Sequence, residues 1–206
     1  MDLITAIDAV RREIQDATTP TGGPGRKVVA ERTYPAPIDD VWDALTNPGR
    51  ITRWFLPVSG DLHLGGTYQL EGNAGGTIRA CEPPTHLGVT WELGGNTSWV
   101  DVHLTDTGDG TRLRLEHVAP IDEEAERFWD EYGPGAVGVG WDLTLLGLGL
   151  HLASGADERM ADIDPRLHEP MRRSSAAWGE ASVAYGTPPE QARAAAERTT
   201  AFYTGG

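Results

Sequence analysis

Cysteine is all but missing from this chain of 206 residues, in which Cys81 stands alone. One thiol excludes an intramolecular disulfide and any thiolate metal site built within the chain, and it fits a reducing compartment, so a cytoplasmic location is expected. Positive charge is scarce too. Seventeen Lys and Arg against 31 Asp and Glu leave a net charge of -14. Such a surface repels phosphate backbones and anionic lipid, and no basic cluster reverses it locally, so nucleic acid is not expected as a partner. His63, His86, His103, His117, His151 and His168 fall without metal-ligand spacing, and no metal or cofactor is expected. Gly72-Asn73-Ala74-Gly75-Gly76 lacks the Lys-Ser/Thr that completes a phosphate loop. A Gly-x-Ser-x-Gly nucleophile elbow is absent as well. The first residues, Met1-Asp2-Leu3-Ile4-Thr5, lack the charged and apolar blocks of a signal peptide.

What the chain does have is one long apolar run. Gly133 to Leu152 carries a single formal charge, Asp142. Trp141, Leu145, Leu148 and Leu152 recur at helical spacing and stack in one stripe, so the run reads as a buried helix. Beside the stripe lies a second line, Gly140, Thr144, Gly147 and His151, which is small or polar. Each glycine costs about 1 kcal/mol of helix propensity against alanine. That cost implies close approach along the line, either by packed backbone or by a bound molecule. A membrane span is rejected. Asp142 within the bilayer would cost at least ~2.5 kcal/mol, and the flank Asp122-Glu123-Glu124-Ala125-Glu126 has the wrong charge for an anchor.

Elsewhere the pattern divides the chain. Leu3, Ile7, Val10 and Ile14 describe a short amphipathic helix, and Thr18 to Gly25, rich in Pro and Gly, reads as a flexible connection. Residues 1–25 are therefore expected as a helix and linker, 26–154 as the compact domain and 155–206 as a helical extension. Lys27 to Tyr34 alternates as a strand. Val41, Trp42 and Leu45 mark one short helix, and Asn47-Pro48 opens another bearing Ile51, Trp54 and Phe55. Leu56 to Val118 breaks into short strands separated by turns, the mark of an antiparallel meander. Leu87, Val89 and Trp91 share a face, as do Leu113, Leu115 and His117. For 99–104 both faces are plausible. Either Val100, Val102 and Leu104 form core and Trp99 is exposed, or Trp99, Asp101 and His103 face a cavity. After Ser154 a polar connection leads to helices from Glu169 to Tyr185 and, behind a Thr187/Glu190 capping box, through Phe202 or Tyr203. These terminal helices are expected to pack on the domain near a cavity mouth or across a two-fold dimer interface.

The order of strand, two short helices, antiparallel strands and long helix resembles the START-like (SRPBCC, helix-grip) fold shared with the birch-pollen-allergen and polyketide-cyclase families. That implies an α+β fold in which a curved antiparallel sheet grips a long C-terminal helix and leaves a cavity between them. The local wording is similar to bacterial homologues of the activator of heat-shock protein 90 ATPase. It is carried by Tyr34-Pro35-Ala36-Pro37-Ile38, Val41-Trp42, Ile51-Thr52-Arg53-Trp54-Phe55, Gly65-Gly66-Thr67-Tyr68 and Val89-Thr90-Trp91, and spans roughly Lys27 to Leu152. The eukaryotic co-chaperone that names that family has an additional N-terminal domain, and residues 1–25 are too short to be one.

Three function classes follow. The leading one is non-catalytic binding of a small apolar or aromatic molecule. Its candidate contacts are Trp54, Phe55, Tyr68, Trp91, Trp99, His103, Tyr132, Trp141, Thr144, Gly147, Leu148 and His151, because large rings with a polar edge suit pockets for flat ligands. Phe128 belongs to the same aromatic set, and a plain core is the competing use of it. The second is a cyclase- or aromatase-like enzyme, with Asp101, His103, His117 and His151 doing acid-base work. The third is an interaction module docking on a chaperone or a second copy of the chain. Asp142 is expected to pair with Arg79, Arg112 or Arg114, or with a ligand.

Overall fold

The computed structural model describes residues 2–154 and 165–206. The polar connection expected after Ser154 lies largely outside the described residues. The first element is a six-residue helix, α1 (Leu3–Asp8), capped by the Asp2 carboxylate, which accepts from the Thr5 amide. Strands β1 (Arg11–Thr18) and β2 (Pro24–Tyr34) follow, then helices α2 (Ile38–Thr46) and α3 (Pro48–Trp54). Six more strands come next: β3 (Val58–Gly60), β4 (Thr67–Leu70), β5 (Gly75–Glu82), β6 (His86–Leu93), β7 (Asn96–Asp106) and β8 (Thr111–Pro120). The chain ends in helices α4 (Glu123–Tyr132), α5 (Gly135–Ser154), α6 (His168–Tyr185) and α7 (Pro189–Thr204), with a 3-10 turn, Pro165–Leu167, before α6. The eight strands form one antiparallel sheet in the order β1-β2-β8-β7-β6-β5-β4-β3.

The N-terminus departs from the helix-and-linker expectation. Only Leu3 to Asp8 is helical, and Val10 and Ile14 belong to an extended segment whose strand pairs with β2 from Arg11↔Glu31 to Thr18↔Pro24. A short isolated helix is marginal in water, whereas the free edge of β2 offers eight residues a ladder of hydrogen bonds. The supposed flexible connection is a hairpin turn closed by the Thr19 amide to the Gly23 carbonyl and the Gly22 amide to the Thr19 carbonyl. Gly22, at φ 92°, supplies the left-handed conformation this turn requires.

Register decides which side of β7 faces inward. Val100 lies opposite Val89 and His117, and Val102 lies opposite Leu87 and Leu115, so the aliphatic set joins the core. Trp99, Asp101 and His103 therefore point to the outer face, because neighbours along a strand point to opposite sides. Trp99 is nonetheless buried there.

Helix α5 lies on the inner face and packs against α1, α2, α3, α6 and β2. Two side chains of β2 grip it: the Tyr34 hydroxyl and an Arg32 Nη each donate to the Leu145 carbonyl. Among the described residues it is the one helix long and apolar enough to cross a membrane, but more than half of that stretch is buried within the protein. Its glycines are explained by neighbours. A Cβ on Gly138 would stand 2.2 Å from the Trp178 ring, and one on Gly147 would stand 3.0 Å from the Trp54 carbonyl.

The terminal helices pack on the domain, though away from α2 and α3. Helix α6 lies against α1, β1 and α5, and α7 lies against α6, α4 and α5. The anticipated capping box does not form. Pro188 precedes α7 with no side-chain cap bond, and Thr187 Oγ1 instead accepts from Ser182. Asp142, fully buried, pairs with none of Arg79, Arg112 and Arg114, whose strand positions put them on the outer face. It accepts from Arg12 Nε at 2.8 Å, from Trp178 Nε1 at 3.1 Å and from Ser174 Oγ. This cluster ties β1, α5 and α6 together.

Candidate functional site

Between the inner face of the sheet and α5 is a cavity of about 190 Å³. Its floor is Val100, Val102, Leu113 and Leu115, held inward by the β7–β8 register. Its roof is Trp141, Thr144, Leu145 and Leu148 of α5. Ile51, Trp54 and Phe55 of the α3 segment close one side, and Tyr68, Leu70 and Ile78 close another. Leu62 and His63, on the loop between β3 and β4, are exposed residues that also line the space, which puts its mouth there.

Among the described residues no Asp, Glu, Lys or Arg lines this cavity. Several polar atoms of the wall are already bonded within the protein. Trp54 Nε1 donates to the Ala44 carbonyl, Tyr68 Oη to the Thr90 carbonyl and Thr144 Oγ1 to the Gly140 carbonyl. Trp141 Nε1 donates to His117 Nδ1 at 3.0 Å. An indole N–H is a donor only, so Nδ1 is unprotonated and the imidazole proton sits on Nε2, which donates to Ser98 Oγ at 2.7 Å. Ser98 in turn donates to the Trp91 carbonyl. This one-way chain fixes the neutral tautomer, and burial pushes the His117 pKa down to about 4. Trp91 packs edge-on against Trp141 with ring centres 5.0 Å apart. At the mouth, His63 Nδ1 donates to the Leu64 carbonyl and Nε2 pairs with Asp61, contacts that hold its pKa above the ordinary imidazole value.

Of the candidate ligand contacts, Trp54, Phe55, Tyr68, Trp91, Trp141, Thr144 and Leu148 line the cavity. Trp99, His103, Tyr132, Gly147 and His151 do not. Tyr132 belongs to a surface run of rings with Phe128 and Phe202. The line Gly140, Thr144, Gly147, His151 serves mostly to bring neighbours close. Gly140 faces the Tyr203 hydroxyl, Gly147 faces the backbone of α3 and His151 Nε2 accepts from Arg50. The bulky stripe beside it, Trp141, Leu145 and Leu148, is what meets the cavity.

The four residues of the acid-base alternative do not converge. Asp101, on the outer face, accepts from Arg79 and is bonded to His86, and His103 stacks on His86 at 4.4 Å. His117 is inside the sheet, and His151 is at the far end of α5 beside Arg50. Among the described residues no three His, Cys, Asp or Glu side chains gather as a metal-ion site.

Several wall residues escaped the sequence reading. Leu62 and His63 carry no periodic signal, since a loop of mixed residues has none. Cys81 faces inward because of an irregularity in the β5–β6 pairing between Ile78 and Ala80, which alternation alone does not reveal.

Relatives agree with this architecture. The model of the family described as "Activator of Hsp90 ATPase homolog 1-like protein" matches residues 35–152. No curated protein matches the chain. The crystal structure of CalU16 from Micromonospora echinospora is 37% identical, covers 85% of this chain and 97% of that one, and superposes with a TM-score of 0.66. The solution structure of CalU16 gives 33% identity over 95% of this chain and 93% of that one, with a TM-score of 0.65. Protein MLL2253 from Mesorhizobium loti is 26% identical over 62% of this chain and 97% of that one, at a TM-score of 0.54. The likeness to CalU16 thus reaches beyond the matched family region into the terminal elements. With that region spanning more than half of the chain, and a curved antiparallel sheet gripping α5, this protein belongs to the activator of Hsp90 ATPase homolog 1-like family and has the START-like helix-grip fold.

Proposed function

We propose that the protein binds a small, uncharged apolar or aromatic molecule in the cavity between the sheet and α5, without catalysing a reaction on it. The observation that carries this reading is a wall that holds no Asp, Glu, Lys or Arg among the described residues, around a space of about 190 Å³ whose His63 imidazole stands at the exposed mouth, paired with Asp61. An unpaired charge inside would find no partner to offset its desolvation. An apolar ligand loses nothing on entry, and a cavity of roughly 150 Å³ lined by apolar side chains is enough to hold benzene. The Trp91 and Trp141 rings offer edges and faces for stacking worth about 0.5–1.5 kcal/mol beyond area burial.

Cys81 makes the test direct, because the chain's one thiol is on the cavity wall. A neutral apolar probe such as N-phenylnaphthylamine is expected to fluoresce on binding and to slow Cys81 alkylation by a maleimide in proportion to occupancy. Thr144→Phe, which puts a ring into the space, should weaken the probe at least tenfold, about 1.4 kcal/mol. A probe that binds without protecting Cys81, or a folded Thr144→Phe protein that binds it equally well, would refute the assignment.

A further inference from the structure

A second cavity, of about 110 Å³, lies beyond the first, and His117, Ala119, Trp129 and Val137 are among its walls, together with Arg26, whose guanidinium lies over the Trp129 ring and pairs with Glu126 at 2.9 Å. The two are laid out along the same pair of elements. On β8 the inward residues run Leu113, Leu115, His117, Ala119; the first two line the larger cavity and the last two line the smaller. On α5 the sequence repeats in the opposite chain direction, with Val137 at the smaller cavity and Trp141, Thr144 and Leu148 at the larger. Where they meet, Trp141 is a wall of one space and His117 a wall of the other, and their side chains are joined by the 3.0 Å hydrogen bond. Their rings are 5.7 Å apart and nearly perpendicular, so together they fill the gap between strand and helix at this level.

We infer that the two cavities are successive halves of one groove, and that the His117–Trp141 pair is the partition that sets the length of ligand the protein accepts. This rests on the proposed binding function. With the partition closed the groove holds a compact apolar molecule. With it cut away the groove holds an extended apolar molecule, lying along α5 from the Thr144 region to Val137, with its far end beside the Arg26–Trp129 pair. His117 is thereby a specificity-determining residue that acts by position, held in place through Ser98 on one nitrogen and Trp141 on the other.

The test is the ratio of affinities for two uncharged fluorescent probes on the full chain, the compact N-phenylnaphthylamine and the rod-shaped diphenylhexatriene. His117→Ala is expected to improve the rod about tenfold, equivalent to about 1.4 kcal/mol, while moving the compact probe by less than about threefold. Adding Ala119→Leu to His117→Ala refills the second half and should cancel the gain for the rod alone, a result that general loosening of the core would not produce. If His117→Ala does not fold, Trp141→Phe keeps a ring in place but removes the N–H that anchors His117, and should shift the ratio in the same direction by less. An unchanged ratio in a folded variant overturns the partition. Failure of the native protein to bind either probe overturns the binding function on which the partition rests.

Discussion

The two sides of α5 are made of similar residues but are packed differently. Toward α6, the missing side chain of Gly138 is filled by the Trp178 ring, and Asp142 is surrounded by three donors from Arg12, Ser174 and Trp178. Toward the sheet, Trp141, Thr144, Leu145 and Leu148 look onto open space. Void on this scale is costly. At about 24 cal/mol per Å³, a void of this size forgoes on the order of 5 kcal/mol of stability. A chain able to interlock a tryptophan with a glycine on one side of a helix has no packing reason to leave the other side open. The difference separates a side that is closed by packing from a side that lines the cavity.

The largest effect that would sharpen this contrast is expected at Asp142. Asp142→Asn leaves the Arg12 guanidinium buried without its counter-charge, and breaking such a pair costs about 3–5 kcal/mol. At about 2–4 °C per kcal/mol for a chain of this size, the melting temperature should fall by roughly 10 °C. Probe binding below the transition should persist, since Asp142 is not part of the cavity wall. Loss of binding in the still-folded variant would break the division between the two sides.

Next in size is a pH effect on the cavity side. His117 is held neutral in the fold with a pKa of about 4, against 6.5 when exposed. Between these values the unfolded state binds more protons, so stability rises with pH across this window and is lost as pH falls from 6.5 toward 4. The loss amounts to about 3 kcal/mol at 1.36 kcal/mol per unit. Urea titrations of the native protein and of His117→Asn, which has no proton to gain, should differ by this slope. Parallel curves would show that His117 is not buried as a neutral group.

The smallest effects compare one added side chain on each side. Gly138→Ala forces the Trp178 ring to move and should cost about 1–3 kcal/mol despite the better helix propensity. Thr144→Phe adds far more volume, but into space, and should change stability by less than about 1 kcal/mol. Equal penalties from denaturation midpoints would mean that the sheet side is as full as the helix side.

Much of the frame was legible in the residues. Alternation in 87–91 and 113–117 identified shared faces of β6 and β8, and the spacing of Trp141, Leu145 and Leu148 identified a buried stripe of α5. The same logic failed where two answers were chemically equal. Trp99-Val100-Asp101-Val102-His103 alternates cleanly either way, and only pairing with β6 and β8 selects the aliphatic side. Leu3, Ile7, Val10 and Ile14 fit a helix by spacing, but the open edge of β2 captures the second half as a strand. The small line of α5 suggested a ligand, yet Gly147 meets the backbone of α3 and Thr144 alone reaches the cavity.

By itself the sequence determined the element types over most of the chain, the burial of α5 and the α+β class, because these follow from periodicities of a few residues and from the mean polarity of each segment. The tertiary structure decided who meets whom. Arg12 and Asp142 are 130 positions apart, Trp178 and Gly138 are 40 apart, and His117 and Trp141 are 24 apart on different elements. No local pattern encodes such pairs, since strand register and helix docking are settled by the simultaneous packing of every face. The same packing forms the cavity beneath α5 and sets the His117–Trp141 pair at its end.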